Sequence, residues 1–382
     1  FLAEGTYTAG LVADGYRVEG EEAALTLHND ADPELSRTEI RPRAGRQAIF
    51  VEDGLQPWIG HASINLQPGD ISTFARADTH FIVETAVGAG TTMSDEPAWT
   101  GRGEPDFAQL DQRVAMVLAK RPEARIVIRP NLTMPPLWAQ QHRSQLTRAR
   151  HLDGTEATAE VHNLPQPSFS SEQWQAKQEE LLRKLVRHVK DQPWASQVIA
   201  FWLCGRPHEW FFYGSAREFW DYGEPTRDAF REYVKTQSFL AGATEGEIDI
   251  PSPSERSDSG VDFLEDDRAG KLTAAYNQYE SQLTAEVIRR FARAVKEETE
   301  GRSLVGCHYG YLFVLPDTPA QGRGRIMSSM TGVIDSPDID FMAGVIVPKH
   351  WGLDSHDMYS TAFEALRLRG KHYMLSNDHT FY

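Results

Sequence analysis

The residues best suited to chemistry lie in 199–210, Ile-Ala-Phe-Trp-Leu-Cys-Gly-Arg-Pro-His-Glu-Trp. The apolar run predicts a buried strand, and Gly205-Arg206-Pro207 must end it, so His208, Glu209 and Trp210 follow its C-terminal end. A parallel α/β barrel keeps its chemistry at that end. A carboxylate between a histidine and a tryptophan on such a rim is partly desolvated, which favours its protonated form near neutral pH. Glu209 therefore reads as a general acid, with an ordinary surface-loop glutamate as the alternative.

Such a group needs a scaffold, and the composition allows one. The chain has 382 residues, 40% of them hydrophobic and 10% aromatic. That is enough for one barrel of roughly 250 residues with additions. A formal charge of −16 argues against nucleic acid and anionic membranes as partners, since both select a basic face. No apolar run approaches the roughly 18 residues that span a bilayer. The chain starts at Phe1 with neither an initiator Met nor a signal peptide, as expected of a processed or trimmed start. Cys204 and Cys307 both sit in apolar stretches and read as two buried thiols. They leave the compartment open, with a periplasmic or secreted location slightly favoured.

Residues 1–50 lack helical periodicity, and 23–28 and 47–52 read as short antiparallel strands of an N-terminal β segment. From 51 to 382 strand and helix alternate as in parallel βα units. Strands are predicted at 57–63, 80–87, 125–131, 198–204, 304–309, 339–344 and 372–376. Asp70 is a candidate N-cap for a short helix. The best helix is 171–190, with Trp174, Leu181, Leu182, Leu185, Val186 and Val189 on one face. Residues 142–171 read as a long loop over the rim, and 242–270, crowded with Ser, Asp, Glu, Gly and Pro, as a mobile insertion. The expected fold is a (β/α)8 TIM-type barrel whose last strand is not covered.

Several segments carry a family resemblance. Residues 193–199 leading into His208-Glu209-Trp210-Phe211, then Asp221-Tyr222 and Arg227-Asp228-Ala229-Phe230-Arg231-Glu232-Tyr233, resemble the acid/base region of glycoside hydrolase family 42 β-galactosidases and their clan A relatives. Residues 337–344 and 370–378 resemble the sixth and seventh strand regions of those enzymes, and the likeness runs in order from about Arg46 onward. It implies a retaining glycosidase with Glu209 as acid/base and a glutamate nucleophile ending strand seven. This chain has Ser376-Asn377-Asp378 there, and a serine cannot be the carboxylate that attacks an anomeric carbon. An engineered Glu-to-Ser change is preferred, because the surrounding residues keep the pattern. A naturally altered member and a misalignment with Asp378 stay open, and Asp378 otherwise suits binding a hydroxyl. His208 stands where many relatives carry Asn.

Other rim residues extend this reading. Arg129 and Asn131 end strand three and suit hydrogen bonds to sugar hydroxyls, with a salt bridge inside the barrel as the alternative. Glu84, in strand two, is as good a partner for Arg129 as a catalytic group. His308, Tyr309 and Tyr311 end strand five, and the resemblance implies a tyrosine there bonded to the nucleophile; core packing is the alternative. Trp58, Trp138, Trp210 and Trp351 are candidate stacking platforms or simply core. His61, His308, His350 and His356 lack ligand spacing, so neither a metal nor another cofactor is expected. The reading is a retaining glycoside hydrolase of β-linked, galactose-type glycans; a homo-oligomer is left open. An inactive glycan-binding barrel is the main alternative, and an esterase using Ser376 with His308 or His379 the weakest.

Overall fold

The computed structural model describes residues 5–9, 12–13, 16–17, 23–27, 34–57, 60–62, 68–74, 80–86, 97–132, 134–161, 164–205, 218–240, 246–258, 267–309, 329–345 and 362–376. At its centre is a seven-stranded sheet of Gly60–Ala62 (β1), His80–Ala86 (β2), Ile126–Asn131 (β3), Val198–Leu203 (β4), Leu304–His308 (β5), Phe341–Val345 (β6) and His372–Ser376 (β7). Each strand pairs in parallel with its predecessor and successor in the chain. A sheet wound in one direction curls toward a barrel, whereas a doubly wound sheet branches both ways from a central strand. β3, β4 and β5 are buried along their whole length, which is why they read as near-continuous apolar runs.

Strand alternation divides the core into two layers. Val127, Ala200, Trp202, Cys204, Leu304, Phe341, Ala343 and Met374 form the inner cluster. Their neighbours Ile126, Ile128, Val198, Phe201, Leu203, Val305, Cys307 and Met342 belong to the cluster shared with the helices. Gly306 has the inner register, and a Cβ there would run into the Phe341 ring. Gly306→Ala should therefore overpack the barrel and cost about 1–3 kcal/mol. A lower urea midpoint at unchanged m-value would register it.

The outer layer includes Ala108–Lys120 (α1) after β2 and Glu172–Lys190 (α2) after β3. Glu224–Lys235 (α3), Pro253–Asp258 (α4) and Arg268–Glu298 (α5) follow β4. Ser171 caps α2 by accepting the Trp174 amide at 3.1 Å, and Asp267 caps α5 by accepting that of Gly270 at 2.7 Å. Trp174 meets Phe291 edge-on at 5.8 Å, joining α2 to α5. Above that contact Arg183 reaches Glu179, Glu297 and Glu298, while Arg290 reaches Glu172 and Glu179. These pairs are part-exposed, so packing contributes more than charge to the join.

The N-terminal end of the barrel is closed by an antiparallel sheet of Thr38–Arg43, Arg46–Val51 and Gly54–Gln56. Its first hairpin turns through Ala44 and Gly45, at φ 49° and 77°, the left-handed pair of a two-residue β-turn. Ile49 and Val51 enter the inner cluster, and the Thr38 amide donates to Arg302 O at 2.6 Å just before β5. His372 opens β7, and burial lowers its pKa, so the fold favours the neutral ring. The unfolded chain then takes up a proton below about pH 6.5 that the native chain resists, and stability should fall from there toward the lower native pKa. The same titration on His372→Asn should show a shallower acid limb.

Two expectations are corrected. The short helix is Pro68–Phe74, so it starts before Asp70, with Pro68 supplying the preset φ of a first helical residue. Residues 142–171 are not one long loop: Ala149–His151 pairs with Glu156–Ala157 and with Glu218–Trp220 in a three-stranded sheet. Strands this short leave no periodic signal, because distant partners define them. Residues 246–258, inside the stretch whose composition suggested an insertion, include α4 and the buried Arg256.

Candidate active site

The C-terminal ends of β3, β4 and β5 bring one polar group together. Asn131 ends β3 and bridges in parallel to Cys204, whose amide donates to Pro130 O at 3.2 Å and whose carbonyl accepts from Leu132 N at 2.9 Å. Two residues back along β3, the Arg129 guanidinium lies 4.4 Å above the Trp202 ring, and its Nε donates to Cys204 Sγ at 3.1 Å. The His308 ring is 5.8 Å from that of Trp202, tilted by 53°. Arg129, Asn131 and His308 are 8%, 3% and 3% exposed, so these groups act inside the barrel rather than on its surface. Low dielectric there strengthens each hydrogen bond they make.

Strand geometry explains this convergence. Arg129 and Asn131, Trp202 and Cys204, and Gly306 and His308 are each two residues apart, and a period of two puts each pair on one face. Tyr309 falls on the opposite face: it is wholly buried in the helix-side cluster and bonded to Ser281. Burial pushes its phenol well above the usual range, with Cys307 adding to the effect. Trp138 also packs into that cluster, 3% exposed and stacked on His142 at 4.5 Å. Both cysteines are free and buried, as their apolar settings predict.

Ser376 is the last residue of β7, paired in register with Val345 of β6. Trp58, His208, Glu209, Trp210, Tyr311, Trp351 and Asp378 lie outside the described residues. Trp202 belongs to no sequence motif, and only its spacing of two from Cys204 in an apolar strand marks it as inward-facing. Arg129, Asn131 and His308 supply hydrogen-bonding groups beside an aromatic ring, a set suited to holding a polyhydroxylated ligand. No group of three or more His, Cys, Asp or Glu among the described residues could hold a metal ion. No helix among them is long and apolar enough to cross a membrane. A cavity of about 500 Å³ lies at the opposite, N-terminal end, lined by Glu39, Lys296, Asp335, Asp340, Arg369 and Lys371 among others.

No family model matches the chain, and no curated protein matches it in sequence. Solved structures do share its shape. The catalytic domain of a β-amylase from Paenibacillus polymyxa superposes with a TM-score of 0.58 at 12% identity, over 84% of this chain and 85% of that one. The fold is a TIM-type (β/α)8 barrel. A β-galactosidase from Bacillus circulans sp. alkalophilus superposes with a TM-score of 0.51 at 14% identity, over 78% of this chain and 40% of its own. A second β-galactosidase, from the psychrophilic Marinomonas ef1, gives 0.48 at 14% identity, over 75% of this chain and again 40% of its own. The chain thus spans about two fifths of the length of these β-galactosidases. At such identities the likeness is one of fold, and this fold hosts many chemistries.

Proposed function

We propose that the chain is the barrel of a retaining glycoside hydrolase acting on β-linked, galactose-type oligo- or polysaccharides. The observation that carries this reading is the set of Arg129, Asn131, Trp202 and His308 at the C-terminal ends of β3 to β5, with Glu209 next after β4 in sequence and Ser376 at the end of β7. The family 42 resemblance supports it. The fold shared with a β-amylase and a β-galactosidase, both named for glycan hydrolysis, supports only its coarser part, that the chain acts on glycans.

In this reading Glu209 protonates the glycosidic oxygen as the bond to the anomeric carbon breaks. With a carboxylate at position 376 of β7, that group would attack the carbon to give a glycosyl ester, and Glu209, now the base, would take a proton from the water that hydrolyses it. Ser376 occupies the attacking position, so the chain as it stands binds glycan without turnover. Trp58, His208, Trp210, Tyr311, Trp351 and Asp378 complete the proposed substrate-binding set; Tyr309 and Trp138, packed in the helix-side core, do not belong to it.

The serine also favours a second reading, a barrel that only binds glycan. A mechanism-based 2-fluoro-galactoside separates the two. The Ser376→Glu protein should become covalently labelled at residue 376, visible as a mass shift of one tryptic peptide. A protein that binds oligosaccharide but stays unlabelled would leave the binding barrel as the function.

A further inference from the structure

We propose that Lys371, in the cavity at the N-terminal end of the barrel, is a nucleophilic amine that captures small hydroxylated aldehydes as an imine. This activity is independent of the glycosidase reading, because the cavity lies at the opposite end of the barrel from position 376. The backbone fixes where the amine starts. Gly370 turns the chain at φ 72°, Lys371 N donates to Leu366 O at 2.9 Å, and His372 N donates to Asp340 O at 3.0 Å. Lys371 thus enters the cavity from a short clamped turn between the helix Phe363–Leu368 and β7. A volume of about 500 Å³ is within the range of pockets that hold small ligands.

Among the described residues three cations line this cavity, and Lys371 differs from the other two. Lys296 Nζ lies 2.6 Å from Asp340 Oδ2, and Arg369 is paired with Asp335. Lys371 has no ion pair among the described residues; its Nζ donates to the carbonyls of Ser336 and Ile339. Asp340 Oδ2 is already engaged, since it accepts the Val305 amide at 2.7 Å as well as facing Lys296. An ammonium has three N–H donors to satisfy, whereas a neutral amine has two and a lone pair. Two carbonyls therefore satisfy the neutral amine and leave the lone pair as its unused site. Burial lowers the Lys371 pKa and outweighs the pull of Asp340, Cys307 and Asp335 the other way, while Lys296 adds a like charge that lowers it further. Desolvation beside a second cation is how a lysine becomes a nucleophile toward a carbonyl carbon. The lone pair adds to the aldehyde carbon, and the carbinolamine then loses its hydroxyl together with one N–H proton as water, leaving the C=N bond. No oxidant or further reactant is needed. Glu39, Asp335 and Asp340 make the wall polar, so hydroxyls on the aldehyde find acceptors that a hydrocarbon chain would leave unused.

The test uses the chain as it stands. The protein is incubated with glyceraldehyde and cyanoborohydride, which reduces an imine to a stable secondary amine, and the labelled lysines are read by peptide mass spectrometry. Lys371 should be labelled roughly tenfold faster than Lys120, an exposed lysine ending α1, while Lys296, held by Asp340, stays unlabelled. The preference should vanish in urea, where every lysine meets the same solvent. Propanal, similar in size but without hydroxyls, should label Lys371 several-fold more slowly. Lys371→Arg keeps a cation and N–H donors at the site but no nucleophile, so it should lose this adduct and leave labelling elsewhere unchanged. Labelling of Lys371 no faster than that of Lys120, or a preference that survives unfolding, would overturn the capture. Equal rates with propanal would overturn the hydroxylated class of ligand. These rates are read on the native chain, so they decide the matter even if Lys371→Arg does not fold.

Discussion

Replacing Ser376 with glutamate is expected to turn a glycan-binding barrel into a hydrolase, with a gain on the order of 10⁴-fold or more in kcat. That gain corresponds to roughly 5.4 kcal/mol of transition-state stabilisation, a size that repacking at a strand end would not supply but a missing nucleophile does. The substitution should work because the other parts of the site are independent of it. Arg129, Asn131, Trp202 and His308 are set by β3, β4 and β5, and Ser376 is the terminal residue of β7. The geometric companion of the kinetic result is a separation of about 5 to 5.5 Å between the new carboxyl and that of Glu209, which a ligand-bound crystal structure would measure. Hydrolysis already present in the Ser376 protein and abolished by Asp378→Asn would instead make Asp378 the nucleophile. Inertness of Ser376→Glu on galactosides, mannosides and algal galactans alike would leave only the binding barrel.

The barrel was legible because buried parallel strands announce themselves. The runs predicted at 80–87, 125–131, 198–204, 304–309 and 372–376 appear as β2, β3, β4, β5 and β7 with ends shifted by at most one residue. β3, β4 and β5 are covered on both faces, so nothing interrupts their signal. The rim is another matter. Glu218–Trp220 is a strand only because it pairs with Ala149–His151 across the chain, and Arg256 looks like surface composition until three aromatic rings close over it. At the site, Arg129, Asn131 and His308 were found from their places at strand ends. Adding Tyr309 to His308 set aside the rule that adjacent strand residues point to opposite faces, and the structure puts Tyr309 against α5 while His308 meets Trp202. Trp138 shows the same for aromatics: being next to a rim says little about which way a ring packs, and here it stacks on His142 within the core.

The second large effect concerns Glu209 and is read in the Ser376→Glu background. Glu209→Gln keeps the shape and hydrogen-bonding capacity of the side chain but removes its proton transfer. General acid catalysis is worth roughly 10²–10⁴-fold when the leaving group is poor, so alkyl glycosides and oligosaccharides should lose activity on that scale. Activated aryl glycosides leave without protonation, and their first step should be spared. Their second step still needs a base to activate water, so the glycosyl ester should accumulate and appear as a burst of phenol followed by slow turnover. Added azide, a nucleophile that needs no base, should speed that slow phase and yield a glycosyl azide of retained configuration. This combination separates an acid/base from a structural glutamate, because a merely structural loss would depress both substrate classes together and azide would rescue neither. Equal loss on alkyl and aryl glycosides, with no burst, would remove Glu209 from the mechanism. The acid would then have to be sought elsewhere on the rim.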